Sequence, residues 1–126
     1  MRELTRAEEE VMQVLWKIRK GFVKDILDHF DDPKPAYNTV STIVRILQDK
    51  GFVDHKAYGR THEYFPVVSK NDYSKSHLST FVNDYFSNSF GKMVSFFAKE
   101  NRMSVKEMEE VMKIMESEVK KQKSGL

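Results

Sequence analysis

The feature that most constrains this chain is a change of hydrophobic period at Phe52. As far as Leu47 the apolar residues recur every three or four positions, the spacing of a buried helical stripe; from Phe52 to Phe65 two extended-type runs flank Tyr58-Gly59-Arg60. A chain patterned this way packs helices first and then folds back as a hairpin. Thr5-Arg6-Ala7-Glu8 forms a capping box, in which the Thr5 hydroxyl meets an early backbone N–H and Glu8 reaches back. Ala7, Val11, Val14, Leu15 and Ile18, widened by Met12 and Trp16, then carry a first helix from about Arg6 to Lys20, with Gly21 as its stop. Val23, Ile26, Leu27 and Phe30 give a second, short helix that ends before Asp31-Asp32-Pro33-Lys34-Pro35, because proline lacks the amide a helix needs. Val40, Ile43, Val44 and Leu47 form one face of a third helix, closed by Lys50-Gly51.

Phe52–Ala57 and Thr61–Phe65 read as the two strands of the hairpin, with Gly59 free to take positive φ at the turn and Pro66 ending the second strand. Three helices followed by a two-stranded ribbon is the order of a winged helix-turn-helix, in which the second and third helices are the DNA-reading pair. Ser69-Lys70-Asn71-Asp72 resembles a further N-terminal cap, beyond which everything reads helical. The expected fold is therefore mainly α, with a winged-helix DNA-binding domain over 1–68 and a helical dimerisation domain over 69–126.

The second lobe carries three stripes: Leu78, Phe81, Val82, Tyr85 and Phe86; then Phe90, Met93, Val94 and Phe97; then Val105, Met108, Met112, Met115 and Val119, the last opened by a Ser104-Val105-Lys106-Glu107 capping box. Seven aromatic residues lie between Tyr73 and Phe97, more apolar surface than short helices hide alone. Phe81, Tyr85, Phe86, Phe90, Val94, Phe97, Met108, Met112 and Met115 are accordingly expected to meet a second copy of the chain. No internal repeat is visible, and Lys120 to Leu126 reads as a frayed tail.

Composition removes several classes of function. With 126 residues, 40% of them hydrophobic and 32% charged, the chain lies in the range of soluble globular proteins. It has no apolar run approaching the roughly 20 residues of a membrane span, and Met1-Arg2-Glu3-Leu4-Thr5 leads into charge, so a cytoplasmic protein without membrane insertion is expected. Cysteine is absent, which removes disulfides, thiolate metal sites and a cysteine nucleophile. His29, His55, His62 and His77 form no metalloprotease pattern, and phosphate-binding glycine loops and nucleophile elbows are missing. The expectation is a non-enzyme that needs no cofactor or metal. His55 and His62 can face each other across the hairpin and read as strand surface.

The net charge is only +2, but between Lys34 and His62 five basic residues stand against two acidic ones. The third helix turns Asn38, Thr39, Ser41, Thr42 and Arg45 away from its apolar face. Asn pairs bidentately with adenine, hydroxyls reach base edges or phosphates, and Arg addresses guanine or the backbone. Asn, Ser and Thr are also mediocre helix formers, poor choices for a plain solvated face. Lys56 and Arg60 place positive charge on the hairpin, where they can hold phosphates. Double-stranded operator DNA is thus the expected partner. The rival is a winged-helix protein-interaction module, using the same helix and hairpin on a protein instead of DNA.

Leu4-Thr5-Arg6-Ala7-Glu8 with Met12 and Leu15-Trp16, then Thr39-Val40-Ser41-Thr42 with Lys50-Gly51, then Gly59-Arg60 with Tyr64 and Pro66, resemble in order the opening segment, recognition helix and wing of the penicillinase repressor family. The resemblance covers nearly the whole chain, the second lobe matching in length, helicity and a Met-Val-x-x-Phe-Ala stretch from Met93 to Ala98. It implies a transcriptional repressor that binds a dyad-symmetric operator as a homodimer and regulates antibiotic resistance. It further implies induction by proteolysis in the C-terminal lobe, triggered by a membrane-bound zinc-protease sensor. Two positions depart from the family pattern: Ile46 replaces a usual Arg, with Arg45 beside it, and Phe96-Phe97 stands near an expected Asn-Phe cleavage pair. The copper-responsive branch of the family uses C-terminal cysteines, and their absence excludes that route.

Overall fold

A computed structural model describes residues 1–125. Helix α1 (Arg6–Ile18) opens on the expected capping box: the Glu8 N–H donates to Thr5 Oγ1 at 3.2 Å and the Thr5 N–H donates to Glu8 Oε1 at 3.0 Å. It stops two residues short of Lys20, because Arg19 takes φ 73° and its N–H returns to the Leu15 carbonyl. Gly21 is therefore not the stop. It lies buried and serves a different purpose, described below. Helix α2 (Val23–Asp28) is a short turn whose first free amide, that of Phe22, donates to the Asp25 carboxylate at 2.9 Å. Helix α3 (Tyr37–Asp49) buries Val40, Val44 and Leu47, and ends where Gly51 adopts φ +82°.

Strands β1 (Val53–Tyr58) and β2 (Thr61–Pro66) pair antiparallel from Val53 opposite Pro66 to Tyr58 opposite Thr61. Gly59, at φ +63°, makes the tight turn between them. Phe52 precedes the first strand instead of opening it, because its ring is buried in the core and its carbonyl accepts from the Val67 N–H. Val11, Met12, Leu15, Ile26, Val40, Val44 and Leu47 share that core with Phe52, Val53 and Tyr64. Burying such side chains contributes roughly 1.5–3 kcal/mol each and fixes the three helices against one another.

Helices α4 (Lys70–Phe86), α5 (Phe90–Lys99) and α6 (Val105–Ser124) follow. The chain divides into two compact units between Leu78 and Ser79, inside α4, ten residues beyond the boundary expected at Ser69. Tyr73 is the reason. Its ring lies 5.7 Å from those of Trp16 and Phe52, its hydroxyl donates to Glu9 Oε1 at 2.6 Å, and the Trp16 indole donates to the Val68 carbonyl at 2.9 Å. The first turns of α4 thus complete the winged-helix core. In the second unit Ser89 and Ser104 cap α5 and α6, and Val82 is the one buried residue among those described. Lys120 to Ser124 continue α6 as helix, where the sequence reads as tail, and Leu126 lies outside the described residues.

The C-terminal end of α3 is tied to the start of α1 by the Lys50 ammonium, which meets Glu8 Oε1 at 2.5 Å and donates to the Glu3 carbonyl at 3.2 Å. Burial alone pushes the Glu8 carboxyl up, but hydrogen bonds from Lys50 and Thr5, with the Lys50 charge, hold it below the usual carboxylate range. A lowered folded-state value means that the ion pair stabilises the fold at pH above the ordinary glutamate value near ~4.3, and that this contribution disappears as pH falls through the lowered value. Glu8→Gln is expected to cost about 2 kcal/mol at pH 7, since hydrogen bonds to charged groups contribute roughly 1.5–3 kcal/mol. Urea melts should show the gap between variant and parent shrinking as the pH is lowered from 7 to 3; a gap unchanged between pH 7 and pH 3 would remove the Glu8 charge from the account.

Candidate nucleic-acid interface

The core fixes which side of α3 looks outward. With Val40, Val44 and Leu47 buried, the opposite face is centred on Asn38, Thr42 and Arg45, all exposed. Thr39 and Ile46 lie on one flank of that face, and Tyr37 and Ser41 on the other. The Thr42 hydroxyl donates to the Asn38 carbonyl at 2.9 Å, so it points back along the helix and leaves its methyl and oxygen lone pairs to an approaching ligand. Ile46 is 38% exposed, an apolar patch among polar neighbours.

The wing stands beside this face because Val53 and Tyr64 are buried in the helical core and polar contacts tie it to the helices at two further points. Gly21 and Tyr64 exchange N–H to carbonyl hydrogen bonds at 2.9 and 2.8 Å, which adds the α1–α2 turn to β2 as a one-residue third strand. His55 Nδ1 contacts Gln48 Oε1 of α3 at 2.9 Å. A side chain at the first point is crowded: a Cβ on Gly21 would lie 2.9 Å from Ile18 Cδ1 and 3.1 Å from Asp25 Cβ, so both neighbours would have to shift.

Between α2, α3 and the wing opens a cleft of about 510 Å³ lined by Lys24, Asp25, Tyr37, Ser41, Arg45, Arg60, Thr61 and His62, with Phe22, Val23 and Tyr64 at its base. Lys24, Arg45 and Arg60 bring three positive charges to it. The single carboxylate, Asp25, is already engaged by the Phe22 amide. A concave, cation-lined surface flanked by short polar side chains is suited to a phosphate backbone with base edges beside it.

Of the seven residues expected to touch DNA, the structure brings Ser41, Arg45 and Arg60 into this cleft. Asn38, Thr39 and Thr42 sit on the adjoining outer face of α3. Lys56 stands apart, its ammonium 5.2 Å from the centre of the Tyr58 ring. Lys24, Tyr37, Thr61 and His62 are cleft residues that sequence reasoning misses. Lys24 lies on a helix too short to show a second face. Tyr37, 52% exposed, begins α3 where an aromatic residue suggests core. For His62 the signal was available in the pairing of the two strands, but the register was needed to place it beside α3. Among the described residues no group of three or more His, Cys, Asp or Glu could hold a metal ion, and no helix is long and apolar enough to cross a membrane.

The helices, the wing and this cleft define a winged helix-turn-helix protein of the DNA-binding kind. The family model described as the penicillinase repressor matches residues 4–117, and the chain belongs to that family of DNA-binding transcription repressors, which are regulators and not enzymes. It is 26% identical to the methicillin resistance regulatory protein MecI of Staphylococcus aureus (strain N315) over 114 residues, covering 90% of this chain and 93% of that protein. It is 25% identical over 122 residues to the penicillinase repressor of Bacillus licheniformis, covering 96% and 95% of the two chains. The solution structure of the DNA-binding domain of the repressor BlaI aligns at TM-score 0.49 and 27% identity, covering 58% of this chain and 94% of that one.

The glycine contact supplies a test of how the wing is held. Gly21→Ala is expected to destabilise the first unit by about 1–3 kcal/mol, the range for forcing an extra carbon into a packed site. Amide exchange should speed up most at Tyr64. Exchange at Tyr64 that matches the parent would mean that the turn moves aside and that the wing does not depend on this bridge.

Proposed function

We propose that this chain represses transcription as a homodimer on dyad-symmetric operator DNA, with α3 in the major groove and the wing on the flanking backbone. The observation that carries the reading is the cation-lined cleft with the exposed short-polar face of α3 beside it. In this arrangement Asn38, Thr39, Ser41, Thr42 and Arg45 read or flank bases, while Arg60 and Lys56 hold phosphates. Tyr37 and Lys24 join them at the edge of the cleft.

The dimer rests on the second unit. Tyr85 is 73% exposed and Met112 61%, with Phe90, Val94, Met115 and Val119 also open to solvent, and neither α5 nor α6 buries a single described residue. Apolar surface on that scale is expected to be covered by another subunit. Phe81, Phe86, Phe97 and Met108 extend the same apolar set and belong to the proposed interface. Two linked reading heads then raise each other's local concentration at the paired half-sites.

Release follows, on this reading, from cleavage at or near Phe96-Phe97 by a membrane-bound zinc-protease sensor, as resemblance to the family implies. The bond lies in α5, whose residues are unburied and whose local opening is correspondingly inexpensive. Cutting there detaches α6 with Met108, Met112 and Met115 from the shared apolar surface and leaves the DNA-reading face untouched. The protein acts in the cytoplasm, where operator DNA is, and its described helices include no membrane span.

Thr42→Ala and Arg45→Ala should each weaken binding to the native operator by about 1–3 kcal/mol at fixed salt without lowering the melting temperature. Unchanged affinity in both variants would rule out α3 as the reader. In sedimentation velocity the intact chain should run as a dimer, and a chain truncated after Phe96 as a monomer that binds the full operator roughly 100-fold more weakly. A dimeric truncated chain would place the interface elsewhere and remove the reason for cleavage to release DNA.

A further inference from the structure

The wing carries an arrangement that neither the fold nor operator reading requires. The imidazoles of His55 and His62 stack with centroids 4.1 Å apart and planes 10° from parallel. In the strand register His55 stands opposite Tyr64 and His62 opposite Ala57, so the two rings meet on the diagonal of one face of the ribbon. Their surroundings differ. His55 contacts Gln48 of α3 through Nδ1 and has Asp54 Oδ1 4.0 Å away. His62 is exposed and lines the cleft with Lys24, Arg45 and Arg60. The other titratable groups around that cleft are Asp25, whose carboxylate accepts the Phe22 amide, and the phenols of Tyr37 and Tyr64.

Stacked parallel rings keep their nitrogen lone pairs in separate parallel planes and so do not converge on one metal ion, and no third ligand stands with them among the described residues. A proton is the more fitting occupant. Imidazole is the side chain whose charge ordinarily changes in the physiological range of pH. A phosphate drawn into the cleft by Arg45 and Arg60 sets negative charge near His62, which favours the protonated ring; by reciprocity a protonated His62 favours the phosphate.

We propose that His62 is a proton-dependent phosphate contact, held at the cleft by stacking on His55, so that this chain binds DNA more tightly as the pH falls. The inference rests on operator binding by α3 and the wing, and it adds a condition under which that binding is strengthened. A protonated imidazole also adds one cation to the set that displaces counterions, so the salt dependence of binding steepens at low pH.

The experiment measures the affinity of the full chain for its native operator duplex and for a scrambled duplex of equal length, at pH 6 and pH 8 and constant ionic strength. The expected result is about tenfold tighter operator binding at pH 6 than at pH 8, a modest fraction of the response that full proton uptake permits over two pH units. His62→Gln should reduce that ratio to within about twofold, and His62→Lys should bind tightly at both pH values, since a permanent cation replaces the proton. His77→Gln, on α4 beside Tyr73 and outside the cleft lining, should keep the parent response. Operator preference with no pH dependence, or a pH dependence that persists in both His62 variants, overturns this proposal and leaves operator reading intact. No preference for the operator at either pH overturns operator reading itself, and this inference with it.

Discussion

Two backbone hydrogen bonds, Gly21 with Tyr64, decide what this protein can present to a ligand. They attach the wing to the turn between α1 and α2. The tightly packed α1, α2 and α3 core then holds both walls of the cleft at a fixed separation. Without the bridge the two-stranded ribbon, marginal by itself in water, keeps only side-chain contacts, chiefly the buried Val53 and Tyr64, to hold it to the helices. With it, Arg60 and His62 of the wing and Lys24, Ser41 and Arg45 of the helices line one cleft. The exposed face of α3 follows from the other side of the same packing, because burying Val40, Val44 and Leu47 leaves Asn38, Thr42 and Arg45 nowhere to go but outward.

Much of this was legible in the sequence, for identifiable reasons. The capping boxes at Thr5 and Ser104 are local chemistry confined to four residues, and both form. The three N-terminal helices and the hairpin are written in the hydrophobic period, and Gly51 and Gly59 take the positive φ that turns require. Gly21 shows where local reading fails. A glycine after a helix looks like a stop signal, yet its backbone pairs with Tyr64, forty-three residues away, its missing side chain leaves room for Ile18 and Asp25, and Arg19 takes the positive φ in its place. The unit boundary is displaced for the same kind of reason. Ser69 does begin α4, its hydroxyl accepting the Asp72 amide at 3.0 Å, but Tyr73 packs on Trp16 and Phe52, and that long-range contact carries no local signature.

The interface was legible in part. Helical spacing distinguishes the two faces of α3, so the polar residues on its outer side could be named. The cleft needs three elements brought together, and for that reason Lys24, Tyr37 and His62 escape notice. In the second unit the periodicity correctly places helices, but a single chain leaves their stripes open. Phe90, Val94, Met112 and Met115 remain exposed, and their burial is assigned to a second copy in the proposal. One unit completes its own core and presents polar and cationic surface, while the other leaves apolar surface open, which the proposal assigns to association.

The most direct test of the central claim is a hydroxyl-radical footprint of the full-length chain on the operator of its own promoter region. A dimer whose two copies of α3 enter successive major grooves should protect two patches about 10–10.5 base pairs apart on one face of the duplex, with wing protections on the flanking backbone. Arg45→Ala should raise the protein concentration at which both patches appear, and raise it equally for the two. A single unpaired patch, or protection spread evenly along the duplex, would contradict the account.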